Sequence, residues 1–122
     1  MSEPRQLPVE RASLHLVDVP ELDRYEARLG DDPELAALLD YRLMERAIAL
    51  LHTEVMPGYE GQGVGSRFAK AVFDDVRERG LKIVPKCPFI VRWLERHPEQ
   101  HDILARPLEP PRTPGGGGLE PA

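Results

Sequence analysis

The chain has a single cysteine among its 122 residues. That excludes an intrachain disulfide and fits a reducing compartment. It has no excess of basic residues either: the formal net charge is −5, and no basic stripe appears. Nucleic acid is thereby excluded as a partner, because neutralising its phosphates needs clustered Lys and Arg. No run approaches the ~20 apolar residues of a membrane span. Residues 1–11 contain no apolar core of a signal peptide. The four histidines and one cysteine show no ligand spacing such as His-x-x-x-His, so no metal site is indicated. These absences point to a soluble, cytoplasmic protein, and the length allows one domain.

Proline and glycine are abundant, 13 and 10 residues, and concentrate toward the ends. Residues 1–12 are polar with two prolines and read as a flexible N-terminus. Residues 107–122 are rich in Pro, then Gly, and cannot bury enough apolar surface to order themselves. Residues 13–106 remain as the domain. Within it, Leu14, Leu16 and Val17 form a weak apolar patch, either a strand or an irregular lead-in. Residues 23–29 alternate, with Tyr25, Ala27 and Leu29 on one parity and Arg24, Glu26 and Arg28 on the other, a half-buried strand. Gly30-Asp31-Asp32-Pro33 is a turn. Residues 35–44 read as a strand with Leu39, Tyr41 and Leu43 on one face. Helix propensity offers a helix over 33–49 instead. On the strand reading, Glu45-Arg46 turns the chain into a third strand over 47–55.

Next comes Glu60-Gly61-Gln62-Gly63-Val64-Gly65-Ser66. After it, Val64, Phe68, Val72 and Val76 recur every four residues, with Ala69 and Phe73 beside them. That is the apolar face of a helix over 63–79, ended by Gly80. A glycine turn between strand and helix aims free N–H groups at one spot, at the positive end of the helix dipole, and so suits a phosphate. It is not a Walker loop, since no Lys-Ser or Lys-Thr follows the last glycine. Ser66 stands where a dinucleotide fingerprint needs its third glycine. Residues 81–86 form a short strand, parallel to the 47–55 strand through a right-handed crossover. Pro88 opens a last helix, with Phe89, Ile90, Trp93 and Leu94 inward, and Pro98 stops it.

Several ordered motifs add specificity: His52-Thr53-Glu54-Val55, the glycine turn, Asp74-Asp75, Gly80-Leu81-Lys82-Ile83-Val84-Pro85, Cys87-Pro88-Phe89 and His97-Pro98. In this order they resemble the small stand-alone GNAT-like N-acetyltransferase domain, a branch of the GNAT superfamily of acyl-CoA transferases. The resemblance is close over residues 50–98. The superfamily's Gln/Arg-x-x-Gly-x-Gly/Ala signature begins here with Glu60. The resemblance implies an α+β fold: an antiparallel meander leading into a parallel strand pair split by the cofactor, with two main helices. It implies acetyl-CoA, with its pyrophosphate on Gly61, Gln62, Gly63, Val64, Gly65 and Ser66 and its thioester near the backbone of Val55.

The candidate catalytic residues are Cys87, His52 and Glu54, each with a plain structural reading beside it. His52, between Leu50 and Glu54 on one parity of the 47–55 strand, is either a packed strand residue or a neutral imidazole able to take a proton from an amine. Glu54 shares its face as base or orienting group, or is simply a solvated charge. Cys87 is either a buried small hydrophobe or, at the start of a helix, a group at the wall of the acyl site. There it would be a covalent carrier, a proton donor to the departing thiolate, or pocket lining. Many larger GNAT enzymes use a tyrosine as this acid, but no tyrosine follows Tyr59. His97 reads as a helix end, and Ser66 as a phosphate donor. Two function classes result. One is an N-acetyltransferase acting on a primary amine, such as an exposed protein lysine, a polyamine or a small amine. The other is a non-catalytic acyl-CoA-binding or interaction module, favoured by the chain's shortness.

Overall fold

The structure is a computed structural model that describes residues 12–108. The expectations for residues 1–11 and 109–122 lie outside the described residues. One mixed sheet runs β1 (Leu14–Val19), β2 (Arg24–Leu29), β3 (Ala37–Leu43), β4 (Ala47–Val55) and β5 (Lys82–Pro85), in that spatial order. The first four strands are antiparallel and β5 lies parallel to β4. Helix α1 (Val64–Glu78) joins β4 to β5, and α2 (Pro88–Glu95) follows.

Each element follows from its residues. Strand β2 buries Tyr25, Ala27 and Leu29 and leaves Arg24, Glu26 and Arg28 half-buried on the opposite face, as alternation requires. Ion pairs of 3.2–3.6 Å lace that polar face, joining Arg24 and Arg28 to Glu26 and Arg24 to Asp40. Residues 33–49 form no helix. The Met44 N–H donates to the Ala47 carbonyl at 2.8 Å and closes a hairpin, and pairing on both sides of β3 overrides local propensity. The expected Leu39–Tyr41–Leu43 face is corrected at its end. Leu39 and Tyr41 are buried, but Leu43 is 52% exposed, where β3 outruns the core.

Helix α1 buries Val64, Phe68, Ala69, Val72, Phe73 and Val76. Phe73 meets Trp93 of α2 at 4.9 Å between ring centres, so both helices share one core with the inner face of the sheet. Gly80 takes the left-handed conformation just past α1. A polar network ties the end of α1 to the first strands. The Tyr25 hydroxyl donates to Asp75 at 2.7 Å, and Arg79 donates to the Tyr25 oxygen at 2.8 Å and to Asp18 at 3.3 Å. The Tyr41 hydroxyl donates to Asp18 at 2.6 Å. Burial, then the Asp75 carboxylate, pushes the Tyr25 hydroxyl well above its ordinary value; burial and Asp18 do the same for Tyr41.

Pro98 ends α2 as expected and also opens a 3-10 turn, Pro98–Ile103, that the sequence reading did not foresee. The Arg77 guanidinium forks onto Asp102 and reaches Gln100 at 2.9 Å. Leu104 then bridges Ile83, which covers the outer edge of β5.

Candidate active site

The site starts from an irregularity in β4. Asp40 pairs with His52 but Tyr41 pairs with Leu50, leaving Leu51 unpaired as a β-bulge. A bulge shifts side-chain parity. Leu50 is fully buried, Leu51 is 43% exposed, and beyond them Thr53 and Val55 take the inner parity while His52 and Glu54 stand outward. The expectation that Leu50, His52 and Glu54 share one face is corrected on this ground: the extra residue moves His52 and Glu54 to the open face.

The other edge of β4 changes at the same point. Parallel pairing with β5 runs from Ala47↔Lys82 to Leu50↔Pro85 and stops. The Leu50 carbonyl accepts both the Lys86 and Cys87 N–H groups, at 2.9 and 3.0 Å. Beyond it β4 continues without β5. The Met56 N–H donates to Ala36 on the β3 side at 2.8 Å, so strand alternation turns the Val55 N–H toward the open edge. The backbone thus offers a donor at the unpaired edge of β4.

Cys87 caps α2 at the mouth of this split and is 2% exposed. Its sulfur lies 3.4 Å from the Thr53 hydroxyl. Thr53 thereby joins the candidate site, and the sequence reading missed it. It was visible in the His52-Thr53-Glu54 run, but only the three-dimensional register shows which way it faces. His52 and Glu54 pair at 3.4 Å between Nε2 and the carboxylate, both side chains 56% exposed. The candidate acid and base therefore belong to opposite faces of one strand, with the split edge between them.

The glycine turn leads from β4 into α1. Gly61 and Gly63 have φ of 74° and 75°, and a Cβ at either would meet nothing within 4 Å. Their backbone faces open space, which a phosphate needs for close approach. Val64, Gly65 and Ser66 open α1, and the Arg67 N–H pairs back to Gly63. The three N–H groups before Arg67 have no partner within the helix. Val64 contributes only backbone, since its side chain is buried, and Gln62 is exposed. Gly65 plays a different part: a Cβ there would lie 2.8 Å from the Phe89 ring and 3.4 Å from Val55. Its missing side chain admits α2. Ser66 accepts a hydrogen bond from the Trp93 indole at 2.9 Å, leaving its own O–H to donate.

This arrangement fits an acyl-CoA: an open turn of free N–H groups, a split between parallel strands, and a thiol and an imidazole–carboxylate pair on either side of it. Among the described residues no cluster of His, Cys, Asp or Glu suits a metal ion. None of the described helices is long and apolar enough to cross a membrane.

Comparison with known proteins agrees with this geometry. The GCN5-related N-acetyl-transferase family matches residues 24–103. Protein NATD1 of Mus musculus is 33% identical over 75 residues, covering 62% of this chain and 68% of that protein. Protein NATD1 of Danio rerio is 31% identical over the same length, with the same coverage. A GCN5-like protein from Staphylococcus aureus, solved by NMR, superposes with a TM-score of 0.53 at 33% identity, over 67% of this chain and 80% of that one.

Proposed function

The chain belongs to the GCN5-related N-acetyltransferase family, and from that premise we propose that it moves an acetyl group from acetyl-CoA to a primary amine by direct attack on the thioester. The acceptor class is an exposed protein lysine, a polyamine or a small amine. The observation that carries this reading is the end of β4–β5 pairing at Leu50, beside the glycine turn. It leaves the far half of β4 with an edge not paired to β5, whose backbone donors a pantetheine arm would meet.

When bound, acetyl-CoA supplies the activated acyl carbon at its thioester. The N–H groups of residues 61–66 hold the pyrophosphate. The Val55 N–H, aimed into the split, polarises the acyl carbonyl. His52 Nε2 lies 3.4 Å from the Glu54 carboxylate, and the tautomer protonated at Nε2 leaves Nδ1 as the acceptor. His52 Nδ1 takes the proton of the incoming amine, and Glu54 orients the ring and stabilises the imidazolium. The amine thus approaches from the open face of β4. On the inner face, Cys87 gives its thiol proton to the departing sulfur, and the Thr53 hydroxyl holds that thiol in place. Direct transfer to an amine needs no enzyme nucleophile, so Cys87 serves as donor rather than carrier.

The exposure of His52 and Glu54 favours one competing reading, a module that binds acyl-CoA without turning it over. Calorimetry with CoA, followed by CoA-release assays with and without an amine panel, separates the two. Binding plus amine-dependent release is expected. Binding without release for any amine supports the module, and no CoA binding by folded protein overturns both.

A further inference from the structure

The two outer edges of the sheet differ. Leu104 bridges Ile83 and covers the edge of β5. Among the described residues, no segment pairs with the outer edge of β1. The register fixes what that edge presents. One step beyond the Leu14↔Leu29 pair, the Gly30 N–H donates to the Ser13 carbonyl at 2.8 Å. Bonded and non-bonded pairs alternate along an antiparallel ladder. His15, Val17 and Val19 therefore bond to β2, whereas Leu14, Leu16 and Asp18 turn their N–H and C=O groups outward.

An exposed edge is normally blunted by a lysine, a proline or a bulge. The run Leu14–Val19 contains no lysine or proline, and its register with β2 is unbroken. Its one acid is turned inward: Asp18 accepts from Tyr41 at 2.6 Å and from Arg79 at 3.3 Å. Val17, near the middle of the strand, is 48% exposed. The outward groups are also symmetric about Leu16. A two-fold axis at that residue sets Leu16 against Leu16 and Leu14 against Asp18, so every outward donor meets an outward acceptor.

Helix α1 carries a second complementarity. Arg67 reaches the Ala12 carbonyl and Arg79 reaches Asp18, so α1 runs beside β1 in the same direction. Away from its buried residues the helix changes sign midway, with Arg67 and Lys70 in its first half and Asp74 and Glu78 in its second. Reversed about the axis at Leu16, the cationic half of one helix lies toward the anionic half of the other.

We propose that the outer edge of β1 is a homodimer interface. A second copy of this chain pairs with it antiparallel about Leu16 and joins two five-stranded sheets into one. The occupant is a second copy because hydrogen-bond pattern and charge order are both self-complementary, as a two-fold contact requires. The edge lies three strands from the β4–β5 split, so both splits stay open.

The test is sedimentation equilibrium on the full chain, with amide hydrogen exchange at the same concentrations. Monomer is expected to give way to dimer between ~1 and ~100 µM, the range of a modest interface. Over that range the Leu16 N–H should exchange about tenfold more slowly. Leu16→Pro, which removes a donor that β2 does not use, should give a monomer. Lys70→Glu and Glu78→Lys should each weaken the dimer about fivefold. The double variant should restore it, because opposite charges face each other again. A monomer at ~300 µM with fast Leu16 exchange overturns the proposal and shows the edge to be open. A monomer with Leu16 protected at every concentration also overturns it and assigns the edge to another segment of the same chain. A dimer indifferent to Leu16→Pro and to both charge reversals overturns the placement at β1.

Discussion

Within β4, residues 48–50 pair with β3 on one edge and β5 on the other, and Ile48, Ala49 and Leu50 are buried. Residues 52–55 pair with β3 alone, and His52 and Glu54 are exposed, as is the unpaired Leu51. The bulge at Leu51 and the departure of β5 fall at the same place. The first half holds the fold together. The second has a free edge of backbone donors and a polar face, and so is available for chemistry. A single strand divides into a packed half and an open half by losing one partner halfway along.

The largest expected effect tests the second half. His52→Ala should slow amine acetylation by roughly 10²–10⁴-fold, the usual worth of a general base, with stability within ~0.5 kcal/mol of wild type. Steady-state rates and urea melts on the same preparation check this. An unchanged rate would break the assignment of chemistry to the open half.

Adjacent leucines sharpen the boundary. Leu50→Ala removes a fully buried side chain and should cost about 2–5 kcal/mol. Leu51→Ala, at the bulge, should cost no more than ~0.5 kcal/mol. Chemical denaturation of the pair reads the contrast directly, and equal losses would show that the bulge residue is packed.

A smaller effect lies just past the open half. Gly63 has a φ of 75°, so Gly63→Ala should cost ~1 kcal/mol in backbone strain. It should also weaken CoA binding, because the new Cβ projects into the space proposed for the pyrophosphate. Thermal melts with and without CoA separate the two losses. A CoA-induced shift as large as in wild type would remove Gly63 from the binding turn.

The smallest effect concerns the opposite end of the sheet. The folded-state pKa values of Tyr25 and Tyr41 are raised, so their contribution is complete below the ordinary value near 10. It is lost as the pH climbs through the folded values. Each tyrosine should lower stability by somewhat under ~1 kcal/mol by about pH 10.5. Tyr25→Phe should flatten part of this alkaline decline, and an unchanged slope would show that the hydroxyl ionises freely in the fold.

Much of the fold was legible because period and punctuation agreed. The alternation of β2, the four-residue spacing in α1, Gly80 and Pro88 each name a local geometry. The glycine turn of the candidate site was legible for the same reason, since it is a local object. The bulge was not, because register belongs to a pair of strands and neither sequence alone records it. That is why Leu50 was grouped with His52, and why Thr53 was passed over. The exposure of Leu43 depends on how far the helices reach across the sheet. The turn over Pro98–Ile103 escaped notice because its reasons, Arg77 and the edge of β5, lie about 20 residues earlier.

Gly65 and Phe89 carry a consequence for how such a chain changes over time. The ring of Phe89 stands where any side chain at 65 would begin. Each position is therefore conditional on the other. An alanine at 65 is acceptable only once the ring at 89 has swung away or shrunk, and a smaller residue at 89 leaves a void only a larger residue at 65 would fill. The two sites, 24 positions apart in sequence, are thereby coupled in what each accepts.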